Sequence, residues 1–393
     1  MKIVASVKDR EYHIEPIENF LPNGIIYDKS QKSKILLSLN PDLVIFLSDW
    51  TYELKECVKE LRRNRIPSVL LMDGTIEWKH FFDNPKWSSG GNEAPYFPVF
   101  CDKIFVPGYS TYRFLNFFGN SGKCEITGLP RFDSYKSLDF SKKKRSQKII
   151  GIMSSNTPSY NKKQLIEIKR LFNDLKSWEG SQSKVKFIWR LRKGFNENLN
   201  LEINNDNSKN LVEFLKKVDA VICQPSTAIY ECMQLKIPTA ICEYNIAPNY
   251  MQAAWQINSK YQIDDVINEL ISPSEIKIKL QSHILEDNLA YVGNSSEVCA
   301  KIIIEMVCQS KKLKNNWIFS ENIYQKVSKK FNKKILTKEL FNYNYLYSFN
   351  DISLLKEETT KLLVKNNKLE SQLEKQSFIK VITKVFKKII NGK

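Results

Sequence analysis

Glycine is scarce in this chain of 393 residues: there are 13, and they form neither a Gly-x-Gly-x-x-Gly run nor a Walker-type loop. Kinases and dinucleotide-dependent dehydrogenases use such loops to bring backbone N–H groups against phosphate, so both classes lose support. Histidine is scarcer still. His13, His80 and His283 are the full set, with no pair at helical spacing, and no Asp-x-Asp pair is present to hold a divalent ion against a diphosphate. Neither a zinc site nor a metal-held diphosphate is therefore expected. The cysteines include no Cys-x-x-Cys, and Cys223, Cys232 and Cys242 fall on apolar patterns, which reads as reduced core thiols in place of a disulfide framework. Apolar runs all stop short of the roughly 18 residues that a membrane span needs. The first seven residues are charged too early for a secretory leader and read as a first strand.

Lysine is abundant. The formal net charge is +17, yet residues 311–393 hold 19 Lys against 7 acidic residues, so most of the excess sits in a tail. Neither a zinc finger, an aromatic RNA-binding signature nor an Arg-rich arm accompanies it, and nucleic acid is not an expected partner. At 42% hydrophobic residues the chain has apolar material for two domains.

Short apolar runs alternate with helical patterns through residues 1–140. Strands are expected at 2–7, 43–47, 68–72, 103–106 and 123–127, with an amphipathic helix over 50–64. Such alternation implies a parallel sheet with helices on its faces. The polar stretch 141–148 (SKKKRSQK) reads as a linker. A second alternating set fills 149–310, with strands at 149–153 and 185–191, a helix over 162–176 and a final helix from Ser295. Residues 196–210, rich in Asn, Asp and Glu, read as an exposed connection. The expected fold class is α/β, two parallel domains in tandem around a cleft, followed by a helical tail over 311–393.

Residues 218–243 are the most informative. An apolar run ending at Cys223 breaks into Gln224-Pro225-Ser226-Thr227, a helical pattern starts there with Glu231 about one turn in, and Lys236-Ile237-Pro238 closes it before a second apolar run at 239–242. The order is strand, tight turn, helix, strand. In a parallel sheet that turn lies at the carboxyl end, where ligands bind. Backbone N–H groups at the helix start and the hydroxyls of Ser226 and Thr227 suit phosphate oxygens, while Glu231 suits a ribose diol. The alternative is that Ser226 or Thr227 only caps the helix. A capping box would place Glu or Gln three residues later, where Ile229 and Tyr230 stand, so capping leaves Glu231 unexplained.

In the tail, aromatic residues mixed with lysine lead into a heptad pattern. Ile352, Thr359, Asn366 and Leu373 occupy one core position, and Leu355, Leu362, Leu369 and Gln376 the other. Asn366 there fixes register and favours two strands, so a homodimer and a solitary surface helix both fit. Over 378–393 an apolar stripe through Phe378, Ile382, Val385, Phe386 and Ile389 runs beside lysines with no acidic residue. A helix of that kind suits an anionic membrane surface, or else the protein's own core.

The stretch 101–133, ending in Gly128-Leu129-Pro130-Arg131-Phe132-Asp133, resembles the end of the N-terminal domain in GT-B glycosyltransferase-like proteins of bacterial surface-polysaccharide synthesis. That superfamily includes the CDP-glycerol glycerophosphotransferases and UDP-N-acetylglucosamine 2-epimerases. Pro225-Ser226-Thr227 to Glu231 to Pro238 is similar to their donor segment, and 288–304 to their closing helix. The resemblance spans residues 1–308 and stops before the tail. It implies two tandem Rossmann-like domains of GT-B type, 1–140 and 149–310, with a nucleotide-sugar site in the second and an acceptor held by the first. Ser226 and Thr227 would then hold the diphosphate and Glu231 the ribose, with Arg131 also on the donor. Asn156 and Thr157, which follow the second domain's first strand, would touch the donor, hinge the cleft or form a plain turn. Relatives often carry Arg-x-His-Pro where this chain has Arg190-Leu191-Arg192-Lys193. A role that needs histidine there is in doubt, whereas Arg190 and Arg192 either grip a departing phosphate or face solvent.

Asp73-Gly74-Thr75-Ile76-Glu77-Trp78-Lys79-His80 follows an apolar run and is expected at a strand's carboxyl end. Glycosyl transfer with inversion needs a base for the acceptor proton. Asp73, Glu77 and His80 are the candidates, with Glu77 preferred; the alternatives are a helix cap for Asp73 and a structural role for His80. The resulting reading is a metal-independent glycosyltransferase whose substrate is a nucleotide-sugar and which needs no cofactor. It moves a sugar, or a sugar-like phosphate unit, to a glycan or lipid-linked acceptor at the cytoplasmic face of the membrane. A nucleotide-sugar epimerase of the same fold and a non-catalytic scaffold are the competing readings.

Overall fold

The computed structural model describes residues 1–7, 12–77, 84, 95–138, 140, 146–180, 184–195, 199, 201, 203, 205–244, 251–313, 317–323 and most of 360–372. The first sheet contains β1 (Ile3–Ser6), β2 (Ile25–Asp28), β3 (Leu43–Phe46), β4 (Ser68–Leu71), β5 (Lys103–Val106) and β6 (Cys124–Ile126). The second contains β7 (Lys148–Met153), β8 (Val185–Arg190), β9 (Ala220–Cys223), β10 (Thr239–Cys242) and β11 (Trp255–Ile257). Their orders are β2-β1-β3-β4-β5-β6 and β11-β10-β9-β7-β8, and every described pairing is parallel. Among the described residues of 1–336 the α-helices are, in chain order, α1 (Glu15–Glu18), α2 (Ser33–Ser38), α3 (Tyr52–Arg63), α4 (Tyr109–Leu115), α5 (Lys162–Gly180), α6 (Leu211–Leu215), α7 (Ala228–Gln234), α8 (Ile263–Ile271), α9 (Glu275–Asn288) and α10 (Ser295–Ser310).

Covered on both faces, such a sheet needs strands that are apolar at every position. In β3, Leu43 and Ile45 join one core with Ile3, Ala5, Val69 and Leu71, while Val44 and Phe46 join the opposite core with Val4, Leu70 and Ile104. Helix α3 closes the second of these with Leu54, Cys57, Val58 and Leu61, a spacing that puts all four on one stripe. Thr51 Oγ1 starts that helix by accepting from Leu54 N at 3.4 Å, and Arg62 and Arg63 sit in its last turn, where cations suit the dipole. The first core is closed by α10, whose Val298, Ile302, Ile303 and Met306 lie on the first sheet although the chain reaches them after the second. The second domain has a single large core built around β7–β10, α5 and α6.

Two edge strands differ from the expectation. β2 and β11 have four and three residues, and Ile26 of β2 is 41% exposed, so neither leaves a long apolar run. The connection expected to be exposed at 196–210 is partly packed: Leu199 is buried and Asn205 bridges to Trp189 of β8.

In each sheet the chain reverses its direction of strand addition once, at β1/β3 in the first and at β7/β9 in the second. Open parallel sheets bind ligands at the carboxyl side of such points. The segment after α10 returns to the outer edge of the first sheet. There the buried Lys103 Nζ donates to Glu125 at 2.8 Å and to Ser320 O at 2.7 Å, and Ile323 N donates to the same carboxylate at 3.0 Å.

Residues 337–393 form a unit of their own. Within it the described residues of 360–372 are helical, and Leu362 and Leu369, seven apart, are exposed. Heptad positions Ile352, Leu355, Thr359, Leu373 and Gln376, and the whole stripe at 378–393, lie outside the described residues. Among the described residues no helix is long and apolar enough to cross a membrane.

Candidate functional site

The Gly-Leu-Pro-Arg-Phe-Asp run is where the chain leaves the first domain, and Gly128, Arg131, Phe132 and Asp133 each have a separate task there. Gly128 takes φ +77° with the Ala290 carbonyl so near that a Cβ would stand 2.2 Å from its oxygen. Phe132 enters the core of the second domain. Asp133 caps α10, accepting from Ser295 N at 2.9 Å and Ser296 N at 2.7 Å. Arg131 is left to face the space between the domains.

That space is a cleft of about 460 Å³. Its first-domain wall is the turn after β4, with Asp73, Gly74, Thr75 and Glu77, and the loop after β1, with Tyr12 and His13. Its second-domain wall is the turn after β7, from Ser154 to Thr157, and the turn after β9, with Ser226 and Thr227, backed by Glu231 of α7. Thr75 N donates to Thr227 Oγ1 at 3.1 Å and so joins the two walls. A Cβ on Gly74 would stand 2.4 Å from that same oxygen, which is why a residue without one serves here. Thr227 is already helical, at φ −57° and ψ −24°, and its side chain makes no cap bond.

Glu231 is 8% exposed and already engaged. The Tyr135 hydroxyl donates to its Oε2, and Arg131 lies 3.5 Å from its Oε1. Burial raises the Glu231 pKa, against the opposing pull of Arg131 and the tyrosine hydroxyl. Arg131 also donates to the Tyr12 hydroxyl at 3.0 Å and lies over the Phe132 ring at 4.6 Å. At the other end of the cleft, burial and then the charge of Glu77 push the Tyr160 hydroxyl up to about 12. Beneath the β7/β9 junction, Gln224 Oε1 accepts from Ser155 N at 3.3 Å, while Gln224 Nε2 and Ser155 Oγ are buried without hydrogen-bond partners among the described residues. Unused buried polar capacity of this kind is what a ligand or an ordered water satisfies.

Of the residues singled out in the sequence, Asp73, Glu77, Asn156, Thr157, Ser226, Thr227, Glu231 and Arg131 meet in this cleft. His80 lies outside the described residues. Arg190 is drawn elsewhere: it donates to Ser208 O at 3.1 Å, lies 3.7 Å from Asp206 and covers the Phe214 ring at 5.7 Å. Arg190 and Arg192 both line an adjoining cavity of about 640 Å³ that shares Ser154, Ser155 and Asn156 with the cleft. Tyr12, His13 and Tyr160 also line the cleft and Tyr135 bonds Glu231 behind it, though no motif in the sequence marks these four. Position could have found the first two, because the loop after a parallel domain's first strand opens on the carboxyl side.

No family model matches the chain, and no curated protein matches it in sequence. Solved structures do match. The S. aureus MnaA structure with UDP gives a TM-score of 0.57 at 15% identity, over 81% of this chain and 100% of that one. The UDP-GlcNAc 2-epimerase of Neisseria meningitidis bound to UDP-GlcNAc gives 0.54 at 14% identity, over 78% and 100%. The wall teichoic acid polymerase TagF gives 0.50 at 13% identity, over 79% and 90%. At such identities the likeness is one of fold. The chain has the GT-B architecture, two tandem Rossmann-like α/β domains that meet at a cleft between their strand ends.

Proposed function

We propose that the protein transfers a sugar, or a sugar-like phosphate unit, from a nucleotide-activated donor to a surface-polysaccharide acceptor, glycan or lipid-linked, without a metal or cofactor. One observation carries the reading: a single cleft brings Ser226, Thr227, Asn156, Thr157 and the Arg131 guanidinium together with the carboxylates of Asp73 and Glu77. Ser226, Thr227, Asn156 and Thr157 suit diphosphate oxygens at the β7/β9 switch point, and Arg131 adds the positive charge that a departing phosphate needs. Glu231 acts on the donor with Arg131 as its partner, and Arg192 borders the adjoining space. Asp73 and Glu77 stand where an acceptor hydroxyl presents its proton. Proteins of the same fold hold UDP and UDP-GlcNAc, which makes uridine nucleotides the first probes.

A thermal-shift panel of UDP, CDP, GDP and CMP tests the donor half. A ligand of the native state at about 100 times its Kd adds about 2.7 kcal/mol of apparent stability. Absence of a shift with all four removes the reading.

The tail belongs to the same proposal. Residues 378–393 hold the protein on the anionic inner face of the cell membrane, and the seam through Leu362 and Leu369 pairs two copies. Liposome flotation of the full chain should exceed that of a chain ending at Gln376, and equal flotation removes the membrane part.

The fold likeness to 2-epimerases favours a second reading, conversion of a nucleotide-sugar without an acceptor. It predicts an isomeric nucleotide-sugar from donor and protein alone, where transferase action needs an acceptor.

A further inference from the structure

Each sheet reverses its strand order once, and the transfer reading uses only the switch point of the second. The β1/β3 switch point of the first has a cavity of its own. It holds about 590 Å³ where the chain leaves β1, β2 and β3, and it shares no lining residue with the reaction cleft. Strands of one sheet lie roughly 5 Å apart, so a site over β1 and β3 stands about 5–10 Å along the carboxyl edge from the turn after β4, the reach of about one or two pyranose rings. We propose that this cavity binds a neutral sugar unit of the acceptor, behind the unit whose hydroxyl reacts. The inference rests on the transfer reaction proposed above, and it makes the protein an extender of a glycan that an earlier glycosyl transfer has begun.

The lining has both kinds of surface that a sugar ring calls for. Val7, Leu47 and Leu54 form an apolar side for the C–H face of a ring, while Ser48, Thr51 and Gln31 supply hydroxyl and amide groups for its edge. Thr51 Oγ1 accepts from Leu54 N at 3.4 Å and still has its O–H to donate. Gln31 Nε2 donates to Ser6 O at 3.3 Å, which holds that side chain across the end of β1. Ser6 itself is 1% exposed, and its hydroxyl has no partner among the described residues. It shares a strand face with Val4, which packs in one core with Leu54, so this unmet group lies on the cavity's side of the sheet.

Charge argues against an anionic occupant. The start of α3 would favour one, but Glu53 already sits in its first turn and Thr51 already caps it. Lys32 brings a cation to the lining, and the Glu53 carboxylate on the same lining offsets it. A phosphate or a carboxylate therefore meets no net positive charge, whereas a hydroxyl-bearing ring gains hydrogen bonds and apolar contact together. Binding energy made this far from the reacting hydroxyl acts through the length of the acceptor, so a single sugar is a poorer substrate than a short chain.

The full chain on an array of neutral and acidic oligosaccharides, without nucleotide, tests this. Neutral members of more than one unit should be bound. Ser48→Trp, which fills the cavity, and Gln31→Asn, which withdraws the amide from Ser6, should each weaken that binding about tenfold or more, with urea midpoints and nucleotide thermal shifts close to those of the parent. Binding of acidic members alone, binding of none, or parental binding by Ser48→Trp overturns the inference. Nucleotide release from the matching sugar-nucleotide, with octyl glycosides of increasing length in the sugar that the array selects, gives the second readout. From a single unit to a trisaccharide the parent should gain about tenfold or more in kcat/KM and Ser48→Trp should not, with equal rates for the two on the single unit. A parent indifferent to acceptor length overturns the inference and leaves the transfer reaction intact. Array binding with no nucleotide shift and no release supports the sugar site and removes the transfer reaction, so the two failures are told apart.

Discussion

Asp133 and Ser296 tie together the two places where the chain passes between its domains: the carboxylate of the first crossing accepts from the backbone N–H of Ser296, 2.7 Å away, at the start of the returning helix. The second oxygen does the same for Ser295. Both bonds satisfy N–H groups that a helix start leaves without intrahelical partners. Asp133→Ala should therefore cost about 1–2 kcal/mol in urea unfolding, and Asp133→Asn less, because the amide keeps one acceptor oxygen.

Two glycines with similar backbones separate conformation from crowding. Gly119 and Gly128 have φ +85° and +77°, but a Cβ on Gly119 meets nothing within 4 Å whereas one on Gly128 meets the Ala290 carbonyl at 2.2 Å. Gly119→Ala should cost about 1 kcal/mol for the left-handed backbone alone. Gly128→Ala should cost about 3 kcal/mol or more, since backbone must also move. Urea midpoints of the two variants, side by side, check the difference.

Lys103 and Glu125 form an ion pair with both side chains 1% exposed. Removing one partner leaves a buried charge without its counter-ion, so Lys103→Met should cost about 3–5 kcal/mol. The double variant Lys103→Met/Glu125→Leu should be more stable than Lys103→Met, which denaturant unfolding reads directly.

Two cleft residues impose opposite pH dependences on stability. Glu231 has a folded pKa above the usual 4.5, so the native state keeps a proton that the unfolded chain has lost. Its contribution is full below 4.5 and is lost as pH rises through the folded value. His13, held at about 4 against 6.5 unfolded, binds fewer protons when folded, so its contribution rises with pH across that window. Glu231→Gln should remove the fall and His13→Asn the rise. Urea midpoints taken at steps from pH 4 to pH 7 distinguish the two.

Most of the strands could be read in advance because a sheet buried on both sides writes itself as unbroken apolar runs, as Leu43-Val44-Ile45-Phe46 does. β2 could not, since Ile25-Ile26-Tyr27-Asp28 lies at an edge with only one residue buried. The site was legible to the same degree. Turns after β4, β7 and β9 face the cleft by a rule of parallel sheets, and Asp73, Asn156 and Ser226 line it as their place after those strands implies. What decides the chemistry there is non-local. Glu231 gains Tyr135 and Arg131 from about a hundred residues earlier, and Arg190 is claimed by Asp206 and Ser208 of a connection whose packing no periodicity announces.

The double crossing also limits how the cleft moves. Gly128 against Ala290, Asp133 on Ser295 and Ser296, and Ala290 N on Pro107 O all lie at one spot, so the two covalent connections share a single fulcrum. The Thr75–Thr227 hydrogen bond joins the two walls away from that point, so a swing of one domain against the other would have to break it while leaving the shared contacts in place.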